Sequence, residues 1–148
     1  MQRALRASDP WSGQVSLPGG RYEPADPDLH ATAIREADEE LALGLTANAR
    51  YLGRLGTMQP RNAGPGGMEV TPFVFVADAA PPIPRLSAEA TATFWLPLHA
   101  VASGRLDAIY EWPGPPARMQ FPCWRWEDFT IWGLTMRIVS ELLAMGRP

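Results

Sequence analysis

Cysteine occurs once in the 148 residues and lysine does not occur at all. A single thiol, Cys123, excludes a disulfide framework and a cysteine-built metal site, and reads as a small buried hydrophobe. All thirteen positive side chains are arginine. That bias suits bidentate phosphate contacts, although genome composition alone would also produce it. No apolar run approaches the roughly 18 residues a membrane-spanning helix needs. Arg3 and Arg6 precede no apolar core of the kind that marks a secretory leader, so the expected location is cytosolic. Surplus positive charge is missing too: a net charge of −3 and a pI near 5.3 argue against a broad nucleic-acid surface. With 46% hydrophobic and 20% charged residues, the composition is that of one ordinary globular domain spanning residues 1–148.

What is present alternates between strand and helix signals. Residues 11–20 read as a short strand ending in a Gly19-Gly20 turn, and 21–26 as a loop. Asp26 before Pro27 predicts an N-cap with proline at the first helical position, opening a helix from Pro27 to Ala42 that stops at Gly44. Strands are expected at Arg50–Leu55, Glu69–Val76 and Thr93–Leu98; Pro72 gives the second an edge or bulge character. Between them lie a Gly/Pro-rich loop, Thr57 to Gly67, of the kind that carries function, and a proline-rich link from Asp78 to Arg85. A helical turn follows at His99–Ser103, then a hairpin of Ala108–Trp112 with Met119–Trp124 across residues 113–116. A last helix is expected over Trp132–Met145, burying Leu134, Ile138, Leu142 and Met145. The order predicts an α/β layered sandwich.

The densest chemistry lies in Arg35-Glu36-Ala37-Asp38-Glu39-Glu40-Leu41. Glu36, Glu39 and Glu40 stand at i, i+3, i+4, so on a helix they project from one side within roughly 100° of arc. Ile34, Ala37 and Leu41 form an apolar stripe on the other side. Like charges at these spacings destabilise a helix by about 0.2–0.5 kcal/mol per pair. Taken alone the segment reads as a solvated acidic face. With the Gly-Gly turn before it, it reads as a set of anionic oxygens for a hard divalent cation, Mg²⁺ or Mn²⁺.

These segments resemble the Nudix hydrolase superfamily. Its box is a glycine, five residues, an acid, about seven residues, then R-E-U-x-E-E-x-G-U with U aliphatic. Here Gly20 and Asp26 are followed, after a spacer one residue longer, by Arg35-Glu36-Ala37-Asp38-Glu39-Glu40-Leu41-Ala42-Leu43, with Ala42 in place of the glycine. The longer spacer and Asp26, in Gly19-Gly20-Arg21-Tyr22-Glu23-Pro24-Ala25-Asp26, are similar to the coenzyme A pyrophosphatase branch. So are Ser12 to Gly20, Val70-Thr71-Pro72-Phe73-Val74, Phe94-Trp95-Leu96-Pro97-Leu98, and Ile131 to Thr135 at the start of the last helix. The likeness runs in order over about residues 11–145. One departure touches the substrate: Asp9 stands where that branch has an arginine, with Arg3 and Arg6 nearby, and if that arginine contacts substrate phosphate, Asp9 would repel it.

The resemblance implies a Nudix α/β/α sandwich with a mixed sheet, and only nineteen residues precede Gly20. The expectation is therefore that the usual N-terminal strands are missing in part, Met1-Gln2-Arg3-Ala4 being the tail of one. The chain would then be truncated, or a partner subunit in a homodimer would fill the gap. The implied activity is metal-dependent hydrolysis of a nucleoside diphosphate linked to a second group, foremost coenzyme A, giving 3′,5′-ADP and 4′-phosphopantetheine. ADP-ribose or a dinucleotide is the alternative substrate, and a non-hydrolytic nucleotide-binding module the alternative class. By position Glu36, Glu39 and Glu40 would hold Mg²⁺ or Mn²⁺ with a carbonyl of Gly19 or Gly20. Arg35 would orient the carboxylates, and Glu89 is the candidate general base, against a surface acid before a strand. His30 and His99 read as structural or exposed. Trp95, Trp124, Trp126 and Trp132 read as packing groups, one of which could stack on an adenine.

Overall fold

The computed structural model describes residues 1–148 except 8, 10, 61–66, 78–79, 81, 115–118 and 147–148. Parts of the expected 57–67 loop, the 78–85 link and the 113–116 turn therefore lie outside the described residues.

Seven strands and four helices follow one another as β1 (Gln2–Arg3), α1 (Leu29–Leu41), α2 (Leu45–Asn48), β2 (Arg50–Arg54), β3 (Phe73–Val76), β4 (Ala90–Ala92), α3 (Leu98–Ala102), β5 (Asp107–Glu111), β6 (Gln120–Trp126), β7 (Phe129–Trp132) and α4 (Gly133–Met145) among the described residues. The α/β layered architecture is as expected, and every ladder between these strands is antiparallel: β1 with β4, β2 with β3, and β5-β6-β7. The Met1–Ala4 segment does form a strand, pairing Gln2 with Ala92 and Arg3 with Ala90.

Several boundaries move, each for a local reason. Residues 11–20 are turns and a single bridge, Gln2 to Val15, rather than a strand. The strand expected over Thr93–Leu98 lies earlier, at Ala90–Ala92, because only that stretch finds a partner in β1. Pro72, lacking an N–H, stops β3 at Phe73, while its carbonyl still accepts from Leu55 N at 2.9 Å. Ile131 and Trp132, read as the start of the last helix, close β7 instead, and α4 begins at Gly133.

Helix α1 shows how side chains set its ends. Its N-cap is Asp28, whose Oδ1 accepts from Ala31 N at 2.8 Å, and not Asp26. Its end is Ala42, in the left-handed region at φ 52°, and Gly44 instead opens α2. For a residue with a Cβ that conformation costs roughly 1–2 kcal/mol. The cost is offset by Leu43, which the reversal turns back into the core beside Ala37 and Leu41.

Three apolar clusters hold the layers. Met1, Ala37, Leu41, Leu43 and Ala90 seat α1. Leu55, Met58 and Ile138 join the β2–β3 side to α4, with Leu134 and Leu142 at the margin. Trp124, Ile131, Leu106, Ala100, Val101 and Val139 fix α4 on the last sheet, flanked by a stacked Phe94–Phe129 pair 4.2 Å apart. Ile138 and Val139 thus tie one helix to two clusters. The expected stripe of α4 ends a turn early: Met145 is 69% exposed. Cys123 is buried as expected, and burial pushes its thiol pKa up. Trp124 is core and Trp132 packs on Tyr110 and Phe121, but Trp95 is 57% exposed and is no packing group. His30 lies among Tyr51, Phe73 and Phe75, with the Tyr51 ring 4.5 Å away, and His99 is exposed on α3.

Candidate active site

The acidic helix and the Gly-Gly turn meet as one unit. The centre of that unit is Arg35, whose Nε and Nη2 grip Asp26 Oδ1 and Oδ2, both at 3.0 Å. Its Nη1 donates to Glu36 Oε1 at 2.9 Å and Glu39 Oε2 at 3.1 Å, and Nη2 also donates to the Arg21 carbonyl at 3.1 Å. A guanidinium has five N–H donors, and these five bonds use all of them.

Asp26, expected as a helix cap, is instead the anchor of this arginine. It is 7% exposed and also accepts from Glu23 N at 3.0 Å and Thr32 Oγ1 at 2.8 Å. The Arg35 hydrogen bonds, then the Glu23 N–H, hold its carboxyl far below the usual carboxylate range, and Asp26 in turn raises Arg35. A depressed carboxylate pKa contributes stability that is complete above the unfolded value, about 4, and lost as pH falls through the folded value. Asp26→Asn should therefore melt below the wild type by a constant margin at pH 5–8. The margin should narrow only below about pH 4, where Asp in the unfolded chain protonates. Thermal melts across that range check it; a margin already shrinking between pH 6 and 5 would contradict this account.

Two glycines close the other side. A Cβ on Gly20 would run into the Glu36 carboxylate, with Oε2 only 2.6 Å away. Gly19 has φ +151°, which side-chain-bearing residues rarely adopt, and its N–H donates to Glu40 Oε2 at 2.9 Å. Glu40 is the most deeply placed of the three glutamates, 3% exposed, a burial the sequence did not indicate. The Ser87 N–H bonds its carbonyl at 3.1 Å from the segment leading into β4. Burial first, then the charges of Glu36 and Glu89, push its carboxyl pKa up, while the Gly19 N–H and Arg3 oppose the shift.

Glu89 is therefore in the electrostatic neighbourhood of Glu40. It sits just before β4, its carbonyl accepts from Ala4 N at 2.8 Å, and its half-exposed carboxylate pairs with Arg6 at 3.3 Å. Asp9 is not bare: Arg3 Nε and Nη2 hold it at 3.0 and 2.7 Å, and it caps Trp11 N at 2.9 Å. Sequence reading missed Asp26 as anchor, Glu40 as buried, and the Arg3 and Arg6 pairs. Proximity of Arg3 to Asp9 in the chain was the signal for that pair; Arg6 and Glu89 stand 83 residues apart and left none.

Among the described residues no three His, Cys, Asp or Glu side chains converge on one point as a ready metal cluster. Glu36 and Glu39 turn to Arg35, and Glu40 to Gly19. The donors nevertheless fit a hard divalent cation. All are carboxylate or carbonyl oxygens, and Glu36 fills a cradle at Gly20 that a single methyl would block. An open cavity of about 530 Å³ elsewhere, lined by Met58, Met136, Arg137 and Glu141 among others, shares no residue with this site.

Comparison with known proteins agrees with this geometry. The family profile described as NUDIX domain matches residues 1–116. Proteins described as "Uncharacterized Nudix hydrolase NudL" from Yersinia pestis (strain Pestoides F) and Yersinia pseudotuberculosis serotype O:1b (strain IP 31758) are each 34% identical to this chain over 132 residues. The match covers 88% of the chain and 63% of each relative's length. No helix among the described residues is long and apolar enough to cross a membrane.

Proposed function

Since the chain belongs to the NUDIX domain family, we propose that it hydrolyses the pyrophosphate linkage of a nucleoside diphosphate joined to a second group, using Mg²⁺ or Mn²⁺. The observation that carries the reading is the Arg35 hub, which fixes Glu36 and Glu39 on the same helix turn as buried Glu40, against Gly19 and Gly20. A non-catalytic binder would have no need to retain a set of mutually repelling carboxylates on one face.

In this reading Glu36, Glu39, Glu40 and the Gly20 carbonyl would hold the metal. When bound, the cation neutralises charge on the bridging phosphates and makes water a competent nucleophile at neutral pH. The remaining work belongs to the chain. Arg35, held by Asp26, keeps Glu36 and Glu39 on one side of the helix turn, from which they would swing toward a bound cation. Gly19 donates to Glu40 and so seats the loop on the helix. Glu89, with Arg6 against it, is the candidate to accept the proton of the attacking water. Coenzyme A is the proposed substrate, with 3′,5′-ADP and 4′-phosphopantetheine as products.

A product assay by mass spectrometry, with coenzyme A, ADP-ribose and NADH offered together in Mg²⁺ or Mn²⁺, tests both levels. Phosphopantetheine with 3′,5′-ADP is the expected result. AMP alone would keep the chemistry and replace the substrate with a nucleotide sugar or dinucleotide. A folded sample that yields no product would overturn the hydrolase reading.

A further inference from the structure

A diphosphate brings negative charge to a site already rich in carboxylates, and the cations around it are mostly spent. Arg35 has no N–H donor left. Arg3 is committed to Asp9 through Nε and Nη2, and Arg6 leans on Glu89. Arg21 differs. It follows Gly20 directly, and its carbonyl is held by Arg35 at 3.1 Å. The loop is fastened on both sides, by Gly19 N to Glu40 at 2.9 Å and Glu23 N to Asp26 at 3.0 Å. Yet the Arg21 side chain is exposed and has no hydrogen-bond or ion-pair partner among the described residues. A backbone fixed on the site carries a guanidinium bound to nothing.

We propose that Arg21 is the residue that grips the substrate's phosphates beside the Gly20–Glu36 contact. Only its side chain must be ordered on binding, because the loop beneath it is already fixed. Its planar fork suits two oxygens of one phosphate, which a point charge cannot match. This assignment rests on the hydrolase reading above and adds to it a substrate contact that the metal-site residues do not provide.

The test compares Arg21→Ala, Arg21→Lys and a remote control, Arg105→Ala. Arg105 lies beyond α3, with its Nε on Ser103 Oγ at 3.1 Å. Titration calorimetry reads ADP binding in Mg²⁺, kinetics read KM and kcat, and melting with Mn²⁺ alone reads the metal site. In Arg21→Ala the ADP Kd and substrate KM should rise about 10- to 100-fold, as for loss of a charged hydrogen bond. Arg21→Lys should recover part of this. Arg105→Ala and the Mn²⁺-induced melting shift should be unchanged. ADP affinity in Arg21→Ala equal to that of Arg105→Ala would overturn the proposal while leaving hydrolysis by the wild type intact. Conversely, Arg21-dependent ADP binding in a wild type that hydrolyses nothing would keep the contact and remove the hydrolase reading. A folded wild type that neither binds ADP nor turns over would remove both.

Discussion

Glu40→Gln should lower turnover at least ~100-fold, as when a charge-stabilising group is lost from a site, while the melting temperature holds or rises. The two halves of that result have separate causes. Glutamine keeps an oxygen for the Gly19 N–H, now 2.9 Å from the carboxylate, so the loop stays on the helix. It also removes a charge that burial disfavours. A carboxyl whose folded pKa lies above its unfolded one is least favourable to folding once pH exceeds the folded value, so neutralising it at pH 7 cannot remove stability it was not giving. What disappears is one of the three anionic oxygen groups proposed to hold the cation. Steady-state kinetics in Mg²⁺ and Mn²⁺, beside a melt of each protein, check the split. Unchanged turnover would remove Glu40 from the metal assignment.

The second large effect is expected at Gly20. In Gly20→Ala the new methyl occupies the place of the Glu36 carboxylate. The obstacle is the far end of a flexible side chain, so the fold can yield by swinging that carboxylate aside. Displacing a reacting-site group by about 1 Å can cost ~10²-fold in rate. The prediction is therefore a drop in kcat of about that size with an almost unchanged melt. Gly19→Ala makes the instructive comparison. It has free space for a Cβ but a backbone at φ +151°, so it should lose stability as well as activity. If Gly20→Ala keeps full turnover, Glu36 does not act from the position seen here.

What could be read from the sequence follows from how local each cause is. The i, i+3, i+4 carboxylates and the Ile34, Ala37, Leu41 stripe depend only on helix geometry, and α1 places Ala37 and Leu41 in the core as read. The β5–β6 hairpin was equally legible. Asp26 was misread because Asp-Pro is a good local helix start. Its actual role depends on Arg35, nine residues on, and on a buried Thr32 that no periodicity announces. Glu40 was read as a metal ligand, but its burial was not legible because Gly19 and Ser87, which bond to it, arrive from elsewhere in the chain. Strand β7 was missed because Glu127-Asp128 is not one of the glycine-bearing pairs that mark a tight hairpin, although Glu127 adopts φ 51° to make the turn. Ala42 was noted as a departure from the glycine of the box. The structure shows the left-handed bend retained with alanine in it.

The bonds that assemble the Arg35 unit are short in sequence: the longest, Gly19 to Glu40, spans 21 residues. Such a piece closes small loops around one shared guanidinium. It can be inherited as a cassette while the strands and turns around it change their residues. Divergence to 34% identity with the Yersinia proteins therefore need not disturb the geometry of this unit. Among relatives of this chain, the kind of bond cut should vary much less than the molecule in which the bond is found.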